Sequence, residues 1–248
     1  MSGTIPTRDQ RLLALRSGGR CAMCRRLLVE ERTSLDREVI IGEMAHIKGE
    51  NPGSARYDPS MADAERNQYD NLIYLCVEHH TIIDGQGNTY SVEQLHRIKA
   101  EHEAWVRGRL EEEMLGVTFT ELEFLTKLLL QSPQPVSSTL TLTPPLRKIE
   151  KNELLDVADS IMLGMVRIGQ VREFIIRASA LDLSFGERLK MGFVKEYKRL
   201  RDDKGLTGVD LFDRLLAFSS RGSHDFRTQA TGLAILVYFF EACEVFEP

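Results

Sequence analysis

Residues 71–84 read Asn-Leu-Ile-Tyr-Leu-Cys-Val-Glu-His-His-Thr-Ile-Ile-Asp, and residues 21–24 read Cys-Ala-Met-Cys. Each stretch contains a pair of potential metal ligands separated by two residues. Tetrahedral zinc favours four thiolate or imidazole ligands, and a two-residue spacing lets a tight turn direct both members of a pair at one ion. The sequence therefore predicts a structural zinc site formed by Cys21, Cys24, Cys76 and His79. His80 is the alternative fourth ligand, although the spacing favours His79.

The segment between the two pairs is too long for a zinc finger that only binds nucleic acid, and it carries residues suited to hydrolysis. His46 lies among strand-forming residues and is a candidate general base, because imidazole titrates near neutral pH. Asn71 can hydrogen-bond either to the backbone or to the His46 ring. His80 and Asp84 are four residues apart on a predicted helix and share one face. They are candidate ligands for a catalytic Mg²⁺ or Mn²⁺.

The pattern of the first 116 residues predicts an α+β domain. We expect a helix over residues 7–17 that ends at Gly18-Gly19, and a second helix over residues 77–84. Residues 39–42 and 44–47 are typical of two strand segments of a hairpin-like unit, whereas residues 48–67 have a loop composition. A long helix over residues 91–115 begins at Ser91, which has Gln94 three residues on, as in a capping box.

The remainder of the chain is predicted to be helical. One helix is expected over residues 121–130, followed by a linker rich in Pro, Ser and Thr over residues 131–145. Apolar residues then recur at spacings of three and four, and further helices are expected over residues 209–219 and 228–246. We therefore predict a first domain over 1–116, a helix and linker over 117–145, and an all-α assembly domain over 146–248.

The composition is that of a soluble globular protein, with 42% hydrophobic and 28% charged residues among 248. The chain has no apolar run of the roughly 20 residues that cross a bilayer and no secretory leader pattern, so we expect a cytoplasmic protein. The formal net charge of −5 argues against nucleic-acid binding, but phosphate contact needs only a local positive patch. Six arginines between Arg8 and Arg26, set against one acid, are a candidate patch.

The order of Cys-x-x-Cys, Ala45-His46-Ile47 and the stretch 71–84 resembles the HNH endonuclease family, which has a ββα-metal fold. The resemblance covers about residues 10–107. The run Gly42-Glu-Met-Ala-His-Ile and the helix with Lys99, His102, Glu103 and Trp105 resemble the HNH domains of bacterial anti-phage effectors. The resemblance implies that His46 is the first His and general base, Asn71 the Asn, and His80 the last His, a metal ligand.

One departure from the family pattern concerns the catalytic metal. Many members have Asp or His directly before the base as a metal ligand, and this chain has Ala45 there. Asp84 or Glu43 is expected to complete the ligand set, although strand alternation points Glu43 away from the face of His46. The candidate phosphate contacts are Arg25, Arg26, Lys48 and Arg56.

The C-terminal residues resemble the C-terminal domain of effectors in ABC three-component (Lamassu-like) defence systems, on the runs that begin at Leu146 and Leu236. That resemblance implies an SMC-type ATPase and an accessory subunit as partners, and we also expect homo-oligomers through this domain. The leading hypothesis is a metal-dependent DNA endonuclease of a defence complex, whose helical domain controls cutting. The alternatives are a catalytically inactive, zinc-braced nucleic-acid-binding or scaffold protein, and an RNase.

Overall fold

A computed structural model of the chain describes residues 4–130, 145–242 and 246. The described part is α+β, mostly helical with two small two-stranded sheets. The chain divides into two compact units, Met1–Gly108 and Arg109–Pro248, and the boundary lies inside one long helix. The predicted linker over 131–145 lies, except for Pro145, outside the described residues.

The N-terminal unit combines short strands with helices that the sequence largely predicts. Its helices are α1 (Thr7–Arg16), α2 (Asp63–Arg66), α3 (Val77–Gly85) and the first part of α4 (Val92–Leu115). Its strands are β1 (Val29–Glu30), β2 (Val39–Ile40), β3 (Gly42–His46) and β4 (Leu72–Cys76). The expected helices over 7–17, 77–84 and 91–115 correspond to α1, α3 and α4. A 3-10 turn over Tyr69–Asn71 leads directly into β4.

The strand pairing differs from the expected hairpin-like unit. Residues 39–42 and 44–47 overlap β2 and β3, but these strands do not pair with each other. β2 pairs with β1, and β3 pairs antiparallel with β4, with Gly42 opposite Cys76 and His46 opposite Leu72. Only Ile41 separates β2 from β3, which is shorter than the two-residue loop of a tight hairpin. The partner of β3 therefore comes from a distant segment of the chain.

Strand β4 lies at the centre of the N-terminal core. All five of its residues are buried, in contact with a cluster that includes Leu13 of α1, Ile83 of α3 and Leu95 of α4. A strand that is covered on both faces has no reason to alternate apolar and polar residues. This explains the continuous apolar run Leu-Ile-Tyr-Leu-Cys, and it makes β4 the rigid element from which the adjoining turn and α3 extend.

The C-terminal unit is helical where it is described. It contains α5 (Phe119–Leu129), α6 (Pro145–Lys151), α7 (Ala158–Met165), α8 (Ile168–Leu181), α9 (Phe185–Lys198), α10 (Gly208–Ser219) and α11 (Phe226–Ala242). A π-helical segment, Arg199–Asp203, follows α9. Helix α11 is buried on most of its circumference and packs against α5, α7, α8 and α10. Among the described residues, no helix combines the length and the apolar character that crossing a bilayer requires.

Helix α5 belongs to this helical unit in the structure, whereas the sequence pattern grouped it with the linker. Its apolar face, which includes Leu122, Leu125 and Leu129, is buried, and the helix contacts α8, α9 and α11. Thr118 and Glu121 form a capping box at its start. The capping residues and the apolar spacing are local signals of a helix, but they do not indicate which unit the helix packs against.

The contact between α7 and α11 depends on a glycine. A Cβ atom added at Gly164 would lie 2.6 Å from Cγ2 of Val237 and 3.2 Å from the carbonyl oxygen of Leu233. We expect Gly164→Ala to lower the free energy of unfolding of the full chain by about 1–3 kcal/mol, because overpacking forces one helix to shift. Denaturant unfolding followed by circular dichroism measures this change.

Gly192→Ala in α9 is the matched control, since a Cβ atom there meets nothing within 4 Å. It should raise stability by about 0.5–1 kcal/mol, because alanine has the higher helix propensity. Equal effects of the two substitutions would contradict the close-packing argument.

Candidate functional site

The first ligand pair lies on a tight turn after α1. The backbone N–H of Cys21 donates to the carbonyl of Arg26 (3.0 Å), and the N–H of Arg25 donates to the carbonyl of Cys21 (2.8 Å). Arg25 has φ +61°, the left-handed conformation that lets so short a turn close. The N–H of Ala22 donates to the carbonyl of Tyr74 in β4 (2.9 Å), which attaches the turn to the core.

The second pair comes from the junction of β4 and α3, where Cys76 ends the strand and His79 lies in the first helical turn. The four ligand atoms of Cys21, Cys24, Cys76 and His79 all lie within 4.8 Å of one another. His79 Nδ1 is 3.0 Å from Cys76 Sγ and 3.7 Å from Cys21 Sγ. Tetrahedral zinc with ordinary bond lengths separates such atoms by roughly 3.5–3.8 Å. The cluster therefore has the composition and size to hold a metal such as zinc.

His46 ends β3 and is half-buried. Its Nε2 lies 2.9 Å from Oδ1 of Asn67, a buried side chain directly after α2. Asn67 was not among the residues singled out from the sequence. The polar partner of the candidate base is therefore this asparagine and not Asn71.

Asn71 is buried at the end of the 3-10 turn and bonds to the backbone, which is one of the two roles considered for it. Its Oδ1 accepts from the N–H of Lys48, and its Nδ2 donates to the carbonyls of Lys48 and Arg66, all at 2.9 Å. The side chain thus joins the segment that leaves β3 to the segment that enters β4. Asn71 positions His46 through the backbone.

His80 lies on α3 between two carboxylates. Its Nδ1 is 2.6 Å from Oε2 of Glu43, and its Nε2 is 3.3 Å from Oδ2 of Asp84. Alternation along β3 does direct Glu43 to the face opposite His46, as expected, and α3 covers that face. The side chains of Glu43 and Asp84 are 47% and 52% exposed, so solvent reaches both carboxylates.

Arg56, a candidate phosphate contact, lies in the interior with only 4% of its side chain exposed. It donates to the carbonyls of Ile47 (2.8 Å) and Ile83 (2.5 Å) and pairs with Asp84 (2.9 Å). Its donors therefore connect the end of β3 to α3 and orient Asp84. The sequence did not indicate this position, because an arginine in a polar segment is usually exposed.

The other candidate phosphate contacts are more accessible. The Lys48 ammonium is 2.8 Å from Asp58, and this contact, together with hydrogen bonds from Ser60, holds the pKa of that carboxyl well below its usual range. Arg25 is exposed, with its guanidinium 4.5 Å from the centre of the Trp105 ring. Arg26 is also exposed and lies 3.9 Å from Glu30.

The segment 48–67 is more ordered than its loop composition indicated, because the buried Arg66 organises it. The guanidinium of Arg66 donates to the carbonyls of Gly49, Asp58 and Met61 and lies over the Tyr57 ring. A buried cation with several carbonyl acceptors fixes the path of the chain around it. No local sequence signal distinguishes this arginine from the exposed ones.

Two buried side chains of helix α4, Lys99 and His102, bond to the backbone of segments next to the site. Lys99 donates to the carbonyls of Tyr69 (2.6 Å) and Leu72 (2.8 Å), and burial lowers its pKa to about 8. His102 is buried, with Nε2 3.0 Å from the carbonyl of Ser17 and its ring stacked on Trp105. These contacts hold the 3-10 turn and the end of α1 against α4.

Neither a family model nor a curated protein matches the chain. The geometry of the site and the order of its motifs are therefore the features that bear on function.

Metal content provides a direct test of the Cys/His cluster. The purified chain should hold about one zinc per molecule, and Cys76→Ser should lose it. The midpoint of thermal unfolding of the N-terminal unit should then fall by roughly 10 °C or more, because a lost structural metal costs several kcal/mol. Elemental analysis and calorimetry measure both effects.

Cys243→Ser is the control, because Cys243 is the one cysteine of the sequence that is not in the Cys/His cluster. Full zinc content in Cys76→Ser would contradict the assignment.

Burial of His102 predicts a dependence of stability on pH. Burial disfavours the charged ring and lowers its pKa below the ordinary value of 6.5. The unfolded chain therefore binds this proton more tightly than the folded chain. The free energy of unfolding consequently falls as the pH drops below about 6.5, and it stops falling once the pH is below the pKa of His102 in the folded chain. Thermal unfolding of wild type and His102→Gln between about pH 8 and pH 5 isolates this contribution, since other acid effects are common to both.

The stability of the variant should decline less steeply with acid than that of wild type. His224→Gln in the helical unit controls for the loss of a histidine as such. Parallel pH profiles for wild type and His102→Gln would contradict the prediction.

Proposed function

We propose that the N-terminal unit is an HNH-type, metal-dependent endonuclease domain that hydrolyses phosphodiester bonds of DNA. The observation that carries the proposal is the His80 imidazole, which lies between the carboxylates of Glu43 and Asp84 on an exposed face. Helix α3, which carries His80, begins at the Cys/His cluster. The antiparallel strands β3 and β4 precede it, and His46 is at the end of β3. This order of elements supports the ββα-metal assignment that the motif resemblance implies.

The donor set around His80 fits a hard or borderline divalent cation, since carboxylate oxygen and imidazole nitrogen are ligands of Mg²⁺ and Mn²⁺. Glu43 is two residues before Ala45 and therefore on the same side of the strand, so it can supply the carboxylate that Ala45 lacks. His80 would hold the ion together with Glu43 or Asp84, and the remaining carboxylate would accept the other ring N–H. A bound cation supplies positive charge that stabilises the pentacovalent phosphate and the leaving oxygen.

The other side chains have distinct roles in the proposed reaction. His46 accepts a proton from the attacking water. Asn71 and Arg56 keep the end of β3 in place relative to β4 and α3. Arg25 and Arg26 are exposed and can contact phosphates, and Lys48 can do so if its pair with Asp58 opens. Structural zinc at the Cys/His cluster would hold the turn of Cys21 and Cys24 against the start of α3.

The proposed cellular role depends on the sequence resemblance. It implies that the chain is an effector of an anti-phage defence complex and that the helical unit contacts an SMC-type ATPase, an accessory subunit or a second copy. Exposed apolar side chains of the helical unit, such as Leu181 and Leu183, are compatible with an assembly surface. An assembly role also suits a unit in which we recognise no catalytic constellation among the described residues.

A second candidate function is a zinc-braced module that binds nucleic acid without cutting it. Two observations favour it: Ala45 removes a usual metal ligand, and both ring nitrogens of His80 already contact carboxylates. The two functions differ in what His46 does, because a binding module has no need of a general base.

A nicking assay on the full-length chain distinguishes them. Supercoiled plasmid is incubated with the zinc-loaded chain and Mg²⁺ or Mn²⁺, and single-stranded RNA is tested in parallel. We expect His46→Ala to cut about 10²–10⁴-fold more slowly than wild type, since a general base contributes that much. Glu43→Gln should raise the Mn²⁺ concentration needed for half-maximal rate.

His96→Ala on α4 is the control histidine and should cut like wild type. Equal cutting by wild type and His46→Ala would overturn the nuclease proposal, as would plasmid binding without cutting. Cutting of RNA alone would indicate an RNase.

A further inference from the structure

The contact between His46 and Asn67 also determines which ring nitrogen of His46 carries the hydrogen. The reason is that an imidazole nitrogen can donate or accept, whereas an amide oxygen can only accept. The amide oxygen of Asn67 carries no proton, so the 2.9 Å contact requires the hydrogen to be on Nε2 of His46. A neutral imidazole carries one N–H and one lone pair. The lone pair is therefore on Nδ1, the ring nitrogen turned away from Asn67.

Asn67 is held rigidly enough to impose this choice. It is buried and directly follows Arg66, whose guanidinium is bound to three backbone carbonyls. The carbonyl of Arg66 in turn accepts from Nδ2 of Asn71 (2.9 Å). The backbone before Asn67 is thus fixed from two sides. Asn71 also bonds to Lys48, two residues after His46, so one set of contacts fixes both partners.

We infer that Asn67 is a positioning residue that fixes the Nε2–H tautomer and the ring orientation of His46, leaving Nδ1 as the proton acceptor. The inference deepens the proposed nuclease function, because it names the atom that takes the proton from water. An imidazole free to exchange tautomers would present the acceptor in only part of the molecules, and a freely rotating ring would direct it less accurately. A hydrogen bond from Nε2–H to a fixed acceptor prevents both the exchange of tautomers and the rotation of the ring.

The tautomer can be observed without any activity. Long-range ¹H–¹⁵N correlation spectra of the full-length chain at about pH 8 distinguish Nδ1 from Nε2 protonation of a neutral imidazole ring. The His46 signals are identified by their absence from the spectrum of His46→Ala. We expect the Nε2–H form in wild type, a mixture of forms in Asn67→Leu, and retention of the Nε2–H form in Asn67→Asp, which keeps an acceptor.

Cutting rates test whether the fixed tautomer of His46 contributes to catalysis. Asn67→Leu should lower kcat about 10–100-fold with little change in KM, because the substituted group acts through the His46 ring. Asn67→Asp should recover most of that loss. Asn51→Leu, at an exposed asparagine of the same segment, should leave both the tautomer and the rate as in wild type.

Each result bears on one claim. Nδ1 protonation in wild type, or the same tautomer in Asn67→Leu as in wild type, would overturn the positioning role. A lost tautomer without a change in rate would also overturn it, because His46 would then act without the fixed ring. If Asn67→Leu does not fold, wild type and Asn67→Asp still report the tautomer. Failure of the nuclease proposal is separate, since it appears as unchanged cutting by His46→Ala.

Discussion

The N-terminal unit depends on the meeting of two distant ligand pairs at the start of α3. Cys21 and Cys24 lie on a turn after α1, Cys76 ends the buried strand β4, and His79 lies in the first turn of α3. The Cys/His cluster therefore joins a surface turn to the rigid centre of the unit. Because α3 begins at this point, the direction of the helix, and with it the place of His80 and Asp84 beside β3, follows from the same constraint.

The connection between β3 and β4 shows a second constraint, which is the need to satisfy backbone carbonyls away from water. Arg56, Arg66 and Asn71 supply the donors, and each bonds to carbonyls of segments that are separate in sequence. A long connection with little regular structure gains its order from such bonds, since it lacks a ladder of its own. These buried side chains thereby set the positions of His46 and Asp84.

The two faces of β3 carry different chemistry. His46 points toward Asn67, and Glu43 points toward His80 on α3. A strand places neighbouring residues on opposite sides, so one short element presents a histidine on one side and a carboxylate on the other. The same alternation explains why Ala45 is buried beneath the helix. The carboxylate on that side of the strand belongs to Glu43, two residues earlier.

Local patterns were sufficient for the helices α1, α3 and α4 and for the grouping of Cys21, Cys24, Cys76 and His79. Periodicity, capping residues and ligand spacing are properties of short segments, and they survive in any tertiary context. Local patterns could not predict four other features. These are the strand partners, the burial of Arg56 and His102, the contact between Asn67 and His46, and the packing of α5. Each of them depends on which distant segment lies alongside, and that choice is made by burial of the core and by satisfaction of buried polar groups.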